Sequence, residues 1–435
     1  MSKPNFLTNI WEPFGLHRDP FFQVELKLGG GEYPVRELFV GHADELRRIG
    51  RRIGGADSSR TIVEGPAGVG KTSFVNRLKL ELANAGYAVH DSPIRLTDHT
   101  TPDRLLADVL RVLVRNYTAG GRPRDGFWNH AADLVESRVL HSGGVSVMGS
   151  GIQVSRQRTR ADAGHAPLIE VIEEGLARFA RTYEARHVLH VDNLENLRLT
   201  QVNHARSLIR NVRDVFLIPD AHWLLVGASG VEEEIFRHAD QVSSIFPPAE
   251  TLGPLNADDV MELLERRYQH LHVKRRNLTR PVAPADVAEL YRRYRGDLRN
   301  FLSLLSDAAN LLLGVEGVVP LSAEQILAAA GAQYWAKIRQ RLTATDLRHL
   351  EGIATQAEKS EGFRVTDVAQ WRDFSQAAAS KLIGRFEHTG LIRQDRQEGR
   401  SVYYHLSGVT SVALEAGAKG GRNELVRNHN RKRLS

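Results

Sequence analysis

Short, almost wholly apolar runs alternate with longer stretches in which apolar residues recur every three or four positions. TIVEG (61–65), VLHVD (188–192) and AHWLLVGAS (221–229) are runs of the first kind. Their length and β-branched content predict buried strands. KTSFVNRLKLELANAG (71–86) has helical spacing and is stopped by Gly86, and further helices are predicted over about 102–116, 127–140, 167–184 and 199–216. YAVHDSPI (87–94) and the region of ETLGPL (250–255) read as two more strands, and Leu46 and Ile49 in ELFVGHADELRRIGRRI fit a helix. Strands that alternate with helices predict an α/β fold with a parallel sheet covered by helices. The first residues, with WEPFGLHRDPFF and the glycines 29–31, read as an irregular arm over 1–37.

After Asn256 the strand signal stops. NADDVMELLERRYQHL, APADVAELYRRYRG and DLRNFLSLLSDAANLLL predict a small helical bundle over 255–332. From about 333 to 410, three further helices precede LIRQDRQEGRSVYYHLS, a two-stranded ribbon with a Glu-Gly tip. That order is the pattern of a winged helix–turn–helix. Its third helix, 375–388, is expected to bury Ala378, Leu382, Ile383 and Phe386. The opposite face would offer Gln376, Lys381 and Arg385 to a DNA groove, while Arg393, Arg396 and Arg400 of the ribbon would contact phosphates. SGGVSVMGSGIQVSRQRTRADAGH alternates polar and apolar residues about Gly149-Ser150-Gly151. It predicts a hairpin insertion over about 142–162, with Arg156, Arg158 and Arg160 on its return strand. Phosphate contacts and protein docking are equally open uses for it.

The chain has 435 residues, enough for several cores. No apolar run approaches the roughly 18–20 residues that cross a bilayer, so no membrane partner is expected. The N-terminus lacks a basic stretch followed by an apolar core, and there are no cysteines. Disulfides, thiolate zinc sites and cysteine nucleophiles are thereby excluded, and a cytoplasmic setting is expected. The net charge is +6, and from Lys419 to Arg433 six Lys or Arg face a single Glu. Residues 411–435 are therefore read as a basic, disordered tail that either grips nucleic acid or stays solvated.

The chemistry concentrates in GPAGVGKT, placed between a strand and a helix. Gly65, Pro66, Ala67, Gly68, Val69, Gly70, Lys71, Thr72 and Ser73 are the candidate phosphate cradle: glycines let backbone N–H groups converge on phosphate, and Lys71 reaches the terminal phosphates. Thr72 and Asp192, at the end of VLHVD, are the candidate Mg²⁺ ligands for ATP. Asn193 stands where an acid that polarises water is usual. Its amide orients water but accepts no proton. Glu195, two residues on, could serve only if the strand ends early. His187 and His190 flank the same strand without further metal ligands nearby.

With these motifs the sequence resembles the AAA+ ATPases, specifically the initiator group related to origin-recognition and helicase-loading proteins, over about residues 38–410. The resemblance implies that residues 38–254 are the ATPase domain and that the helices of 255–332 are its lid. ELFVGHADEL would line the adenine pocket, with His42 where the family commonly has Arg. Ser229 in LLVGASG would be the residue sensing the γ-phosphate, and Arg299 in GDLRNFLSLL the lid arginine that reaches it. Arg237 in EEIFRHADQVSSIF would act on a neighbouring subunit's ATP. The resemblance further implies an ATP-binding factor that forms a homo-oligomer when ATP-bound, and Asn193 after Asp192, a departure from the family pattern, leads to the expectation of slow hydrolysis. Such a factor would bind duplex DNA and recruit a separate effector protein in replication, transposition or mobile-element defence. A STAND-like signalling ATPase and a winged-helix regulator with ATP as a structural ligand stay open as alternatives.

Overall fold

The computed structural model describes residues 9–142, 166–198, 202–237, 240–313, 320–357, 360, 362–398 and 401–418. The chain divides into two units, one formed by Glu25–Gly253 and the other by the segments on either side of it.

The central unit runs α1 (Val35–Leu38), α2 (Ala43–Gly54), β1 (Ser59–Gly65), α3 (Lys71–Asn84), β2 (Ile94–Arg95), α4 (Pro102–Ala119), α5 (Gly126–Ser142), α6 (Ala166–Tyr183), β3 (His187–Asp192), α7 (Val202–Asn211), β4 (Ala221–Ala228), α8 (Asp240–Ser243) and β5 (Glu250–Thr251). The five strands form one parallel sheet in the order β2-β3-β4-β1-β5. β1 and β4 pair along their whole length, from Ser59 opposite His222 to Gly65 opposite Ala228.

Strand residues alternate between two apolar layers because side chains on a strand point to opposite faces. Val63, Val188, Leu224 and Val226 pack with Phe74, Val75 and Leu78 of α3 and Ile49 and Ile53 of α2. Ile62, Leu189, Val191, Trp223 and Leu225 face the other way, toward α4, α5, α6 and α7. A sheet covered on both faces needs strands apolar at every position, hence the uninterrupted runs in the sequence. The strand expected over 87–94 is mostly loop: Ala88 makes one bridge to His187, and regular pairing begins only at Ile94.

The second unit contains α9 (Ala257–Leu271), α10 (Pro284–Arg293), α11 (Leu298–Leu312) and α12 (Ala323–Arg341), then α13 (Ala344–Ala357), α14 (Val365–Arg372), α15 (Gln376–His388) and the antiparallel ribbon β6 (Ile392–Glu398) and β7 (Ser401–Leu406). This is the element order expected of a lid followed by a helix–turn–helix with a ribbon. On α15 the buried positions are Ala379, Leu382, Ile383 and Phe386, while Ala378 is exposed. The face is the same but its first residue is one later, which restores the i, i+3, i+4, i+7 spacing of a helix stripe.

Two boundaries differ from expectation. Residues 9–24 have an irregular backbone but are packed: Trp11, Phe14, Leu16 and Phe21 are buried in the second unit. Arg267 of α9 donates to the carbonyls of Pro20 and Phe22 and lies 3.9 Å from the Phe22 ring centroid. At about 1.5–3 kcal/mol for each fully buried large apolar side chain, such a segment is held firmly. The rest of the expected arm belongs to the central unit, where Leu26 accepts from Asn76 and donates to Ser73. At the other end, residues 408–418 form α16, against the expectation of disorder from 411. Val412 and Ala413 are buried, and Glu415 pairs with Arg293 at 2.7 Å. Charge at 419–433 dominates the sequence pattern there and masks an apolar stripe just before it. The hairpin of 142–162 with Arg156, Arg158 and Arg160, together with Arg400 and residues 419–435, lies outside the described residues.

Candidate functional site

The loop between β1 and α3 turns through two left-handed glycines, Gly68 at φ 87° and Gly70 at φ 100°. Only glycine takes such angles freely, and they fold successive N–H groups inward. At Gly65 a Cβ would come within 2.6 Å of the Leu252 carbonyl oxygen, so the loop starts where β1 is pressed against β5. No side chain caps the first turn of α3, whose N-cap is Gly70. The helix therefore offers bare N–H groups and the positive end of its dipole, a setting made for phosphate. The Lys71 ammonium donates to the carbonyls of Gly65 at 2.8 Å and Pro66 at 3.1 Å, which holds the cation over the loop. Thr72 is half-buried beside it. The Ser73 hydroxyl accepts from the Leu26 N–H at 3.2 Å, so the side chain at this cradle position is engaged with the chain before α1.

Two strands away, Asp192 closes β3 with only 8% of its surface exposed. Burial pushes its carboxyl above the ordinary carboxylate range, with the neighbouring Glu195 adding to the rise. The Asn193 N–H, Lys71 and Arg95 oppose it. A cation at this carboxylate would offset that cost of burial. The Thr72 hydroxyl and the Asp192 carboxylate are hard oxygen donors suited to Mg²⁺, an ion that takes few protein ligands and completes its shell with phosphate and water. Among the described residues no cluster of three His, Cys, Asp or Glu could hold a metal ion. His187 and His190 are buried on opposite faces of β3, and His187 packs on Phe179 with centroids 4.1 Å apart.

Asn193 has φ 67°, the left-handed conformation that Asn tolerates better than other non-glycine residues. Its N–H donates to Asp192 at 2.9 Å, so the strand stops dead at the aspartate and a 3₁₀ turn, Leu194–Arg198, follows. Glu195 lies in that turn, past the end of β3. Its carboxylate accepts from the Ala228 N–H at 3.1 Å, next to Ser229, at the carboxyl end of β4. Gly227 makes that reach possible, because a Cβ there would lie 2.8 Å from Val231 and 3.1 Å from Leu194. Ser229 itself is exposed.

Glu64 and Glu232 escape sequence reasoning. Glu64, the residue before the loop, accepts from the Glu232 N–H at 3.2 Å. The Glu232 carboxylate in turn accepts from Ala249 N–H at 2.8 Å and from Arg237 Nε at 2.6 Å. Glu232–Arg237 form a π-helical turn, a strained form common at functional positions. Nothing in the sequence separates these glutamates from surface acids, since only the fold brings 64, 232 and 249 together.

Thus Gly65–Thr72, Asp192, Asn193, Glu195 and Ser229 gather at the carboxyl ends of β1, β3 and β4, where open parallel sheets place their ligands. A model of the AAA domain matches residues 57–234, the stretch that contains all of them. Residues 57–234 are an AAA domain. The AAA+ reading of the motifs is met, and such domains bind nucleotide. No curated protein matches the chain by sequence. A Walker-type ATPase of Pyrococcus abyssi shares 12% identity, with 91% of this chain and 99% of that one covered at a TM-score of 0.54. At that identity the likeness is one of fold. The ORC2 protein of Aeropyrum pernix, in ADPNP-ADP complexes, is similar at 16% identity over 93% and 98% of the two chains, with a TM-score of 0.49. The ORC1 protein of Aeropyrum pernix, in complex with DNA, is similar at 16% over 88% and 94%, with a TM-score of 0.43. No helix among the described residues is long and apolar enough to cross a membrane.

In the second unit Arg299 is exposed in the first turn of α11. Gln376, Lys381 and Arg385 are exposed on α15, with Arg385 paired to Asp346 of α13 at 2.8 Å. Arg396 belongs to β6, where its backbone pairs with Tyr403. The Arg393 guanidinium lies 2.7 Å from the Asp297 carboxylate, with the two side chains 30% and 8% exposed.

Proposed function

We propose that the chain is an ATP-binding AAA+ factor that assembles on duplex DNA in its ATP state, hydrolyses ATP slowly, and regulates a separate effector protein. The observation that carries the reading is the convergence of the Gly68–Lys71 cradle after β1 with Asp192 at the end of β3 and Glu195 at the end of β4, the strand between them. Thr72 and Asp192 would hold Mg²⁺, which would supply neutralisation of phosphate charge. Lys71 and the loop N–H groups would bind the phosphates, and Ser229 would sense the terminal one. Glu195 orients water and takes its proton, while Asn193 is there because the backbone turns left-handed at that point. Replacement of Glu195 by Gln is expected to slow phosphate release by about 10²-fold or more while ATP affinity changes less than about threefold. An unchanged rate would return the role to another group.

Arg237 serves the ATP of a neighbouring subunit, for which it must first leave Glu232. Gln376, Lys381 and Arg385 face the major groove as a winged helix would present them, with Arg396 on the wing. The exposed, small-residue surface of α15 (Ala377, Ala378, Ser380 and Gly384 around Lys381) supports a close approach to a groove. Sizing the purified chain with and without ATP and a random-sequence duplex tests the whole reading. ATP is expected to enlarge the assembly and DNA to raise ATP turnover; a species whose size ignores both ligands would end it.

A further inference from the structure

The turn between α10 and α11, Tyr294-Arg295-Gly296-Asp297, is held on every side. Arg295 and Gly296 are consecutive left-handed residues, at φ 47° and 83°. A Cβ on Gly296 would come within 2.1 Å of the Pro254 side chain, and Pro254 is where the chain enters this unit after Gly253. Next to it, Tyr291 donates its hydroxyl to the Leu255 carbonyl at 3.0 Å. Tyr294 is buried and its ring fills the space beside Gly408, where a Cβ would lie 2.5 Å away, just beyond the ribbon. Asp297 caps α11 by accepting from Asn300 N–H at 3.2 Å and Asn300 Nδ2 at 2.7 Å, and it also pairs with Arg393 of β6. Two residues after Asp297 comes Arg299.

We propose that Asp297 and Arg393 form the link through which the ribbon controls the first turn of α11, making Arg393 a positioning residue that couples DNA to nucleotide. This link rests on the proposed function and adds its means of regulation. The Asp297 side chain is 8% exposed and the Arg393 side chain 30%, so removing the guanidinium leaves a nearly buried carboxylate with only its Asn300 bonds. When the ribbon shifts on a bound duplex, the guanidinium moves with β6. The carboxylate then follows it or loses it, and either change is felt at the helix cap and at Pro254. The tie is short in space but joins residues 96 positions apart, so it reports on the packing of the ribbon rather than on local helix propensity.

The test uses the full chain, a fluorescent ATP analogue and a random-sequence duplex. In the wild-type chain the duplex is expected to tighten ATP by about fivefold or more, within the usual range of site-to-site coupling. In Arg393→Met and in Asp297→Asn the same duplex should change ATP affinity less than about twofold. Asn keeps the oxygen that caps α11, so the second variant removes the charge without removing the cap. Arg393→Lys should recover part of the coupling. Coupling that survives in both variants overturns the proposal, as does an Arg393→Met chain whose only defect is weaker DNA binding, since that would mark a phosphate contact. A wild-type chain that binds ATP but no duplex sinks the DNA reading itself; one that binds both without coupling sinks only this link.

Discussion

Lys71→Ala is expected to raise the dissociation constant for ATP by about 10²–10³-fold. The ammonium would supply two or more charge-assisted hydrogen bonds to phosphate, each contributing about 1.5–3 kcal/mol. Its bonds to the Gly65 and Pro66 carbonyls show that the side chain is already folded over the cradle, so little ordering is needed before it meets a triphosphate. The substitution removes those two bonds as well. It should therefore loosen the loop slightly in the nucleotide-free chain, a small drop in melting temperature beside a large loss of affinity. Titration with a labelled nucleotide measures the effect. Affinity retained within about threefold would mean that phosphates do not sit in the cradle.

The second large effect is on stability in mild acid. His90, His187, His190 and His222 are all buried in the central unit. Burial pushes His90 and His187 down to about 3 and His222 to about 4, and takes His190 well below its ordinary value. Lys79 reinforces the effect: it is itself buried on α3, its pKa is lowered to about 8, and its charge opposes protonation of His90 and His190. His90 accepts from the His190 N–H at 2.9 Å and donates to the Ser92 carbonyl, an arrangement that needs the neutral ring. In the unfolded chain all four titrate near 6.5. Between about pH 6.5 and pH 4 the unfolded state therefore binds more protons, and stability falls as pH falls. At pH 5 each neutral histidine costs roughly 2 kcal/mol relative to neutrality, and four together approach the whole stability of an ordinary domain. Chemical denaturation at pH 7.5, 6 and 5 should show that decline. His187→Phe, which places an aromatic ring against Phe179, should flatten the slope by about 1.4 kcal/mol per pH unit. Stability that is level from pH 7.5 to 5 would mean that these rings are charged or solvated in the fold.

The same strand shows why the sequence is legible where it is. VLHVD and AHWLLVGA are almost wholly apolar because both faces of the sheet are covered, and a short run of that kind has few other interpretations. The glycines and lysine of GPAGVGKT carry their chemistry in the backbone they permit, so their spacing alone marks a phosphate site. Asn193 stands out in the sequence as an amide where an acid is usual, but its left-handed backbone and the contact of Glu195 with Ala228 appear only in the fold. The tie of Arg393 to Asp297 is not legible in the sequence, because it depends on which distant segment packs beside the ribbon. Charge misleads at the C-terminal end in a similar way, where the basic run hides the apolar residues that seat α16.

By itself the sequence determined the parallel sheet, the phosphate loop, the helical second part and the ribbon, since each follows from local periodicity or from a residue type that the backbone demands. Tertiary structure alone decided that Glu195 stands at the end of β4, that Glu64, Glu232 and Arg237 form one chain of contacts, and that Arg393 answers to Asp297. These depend on which distant segments touch, and hydrophobic pattern says that a face is buried without saying against what.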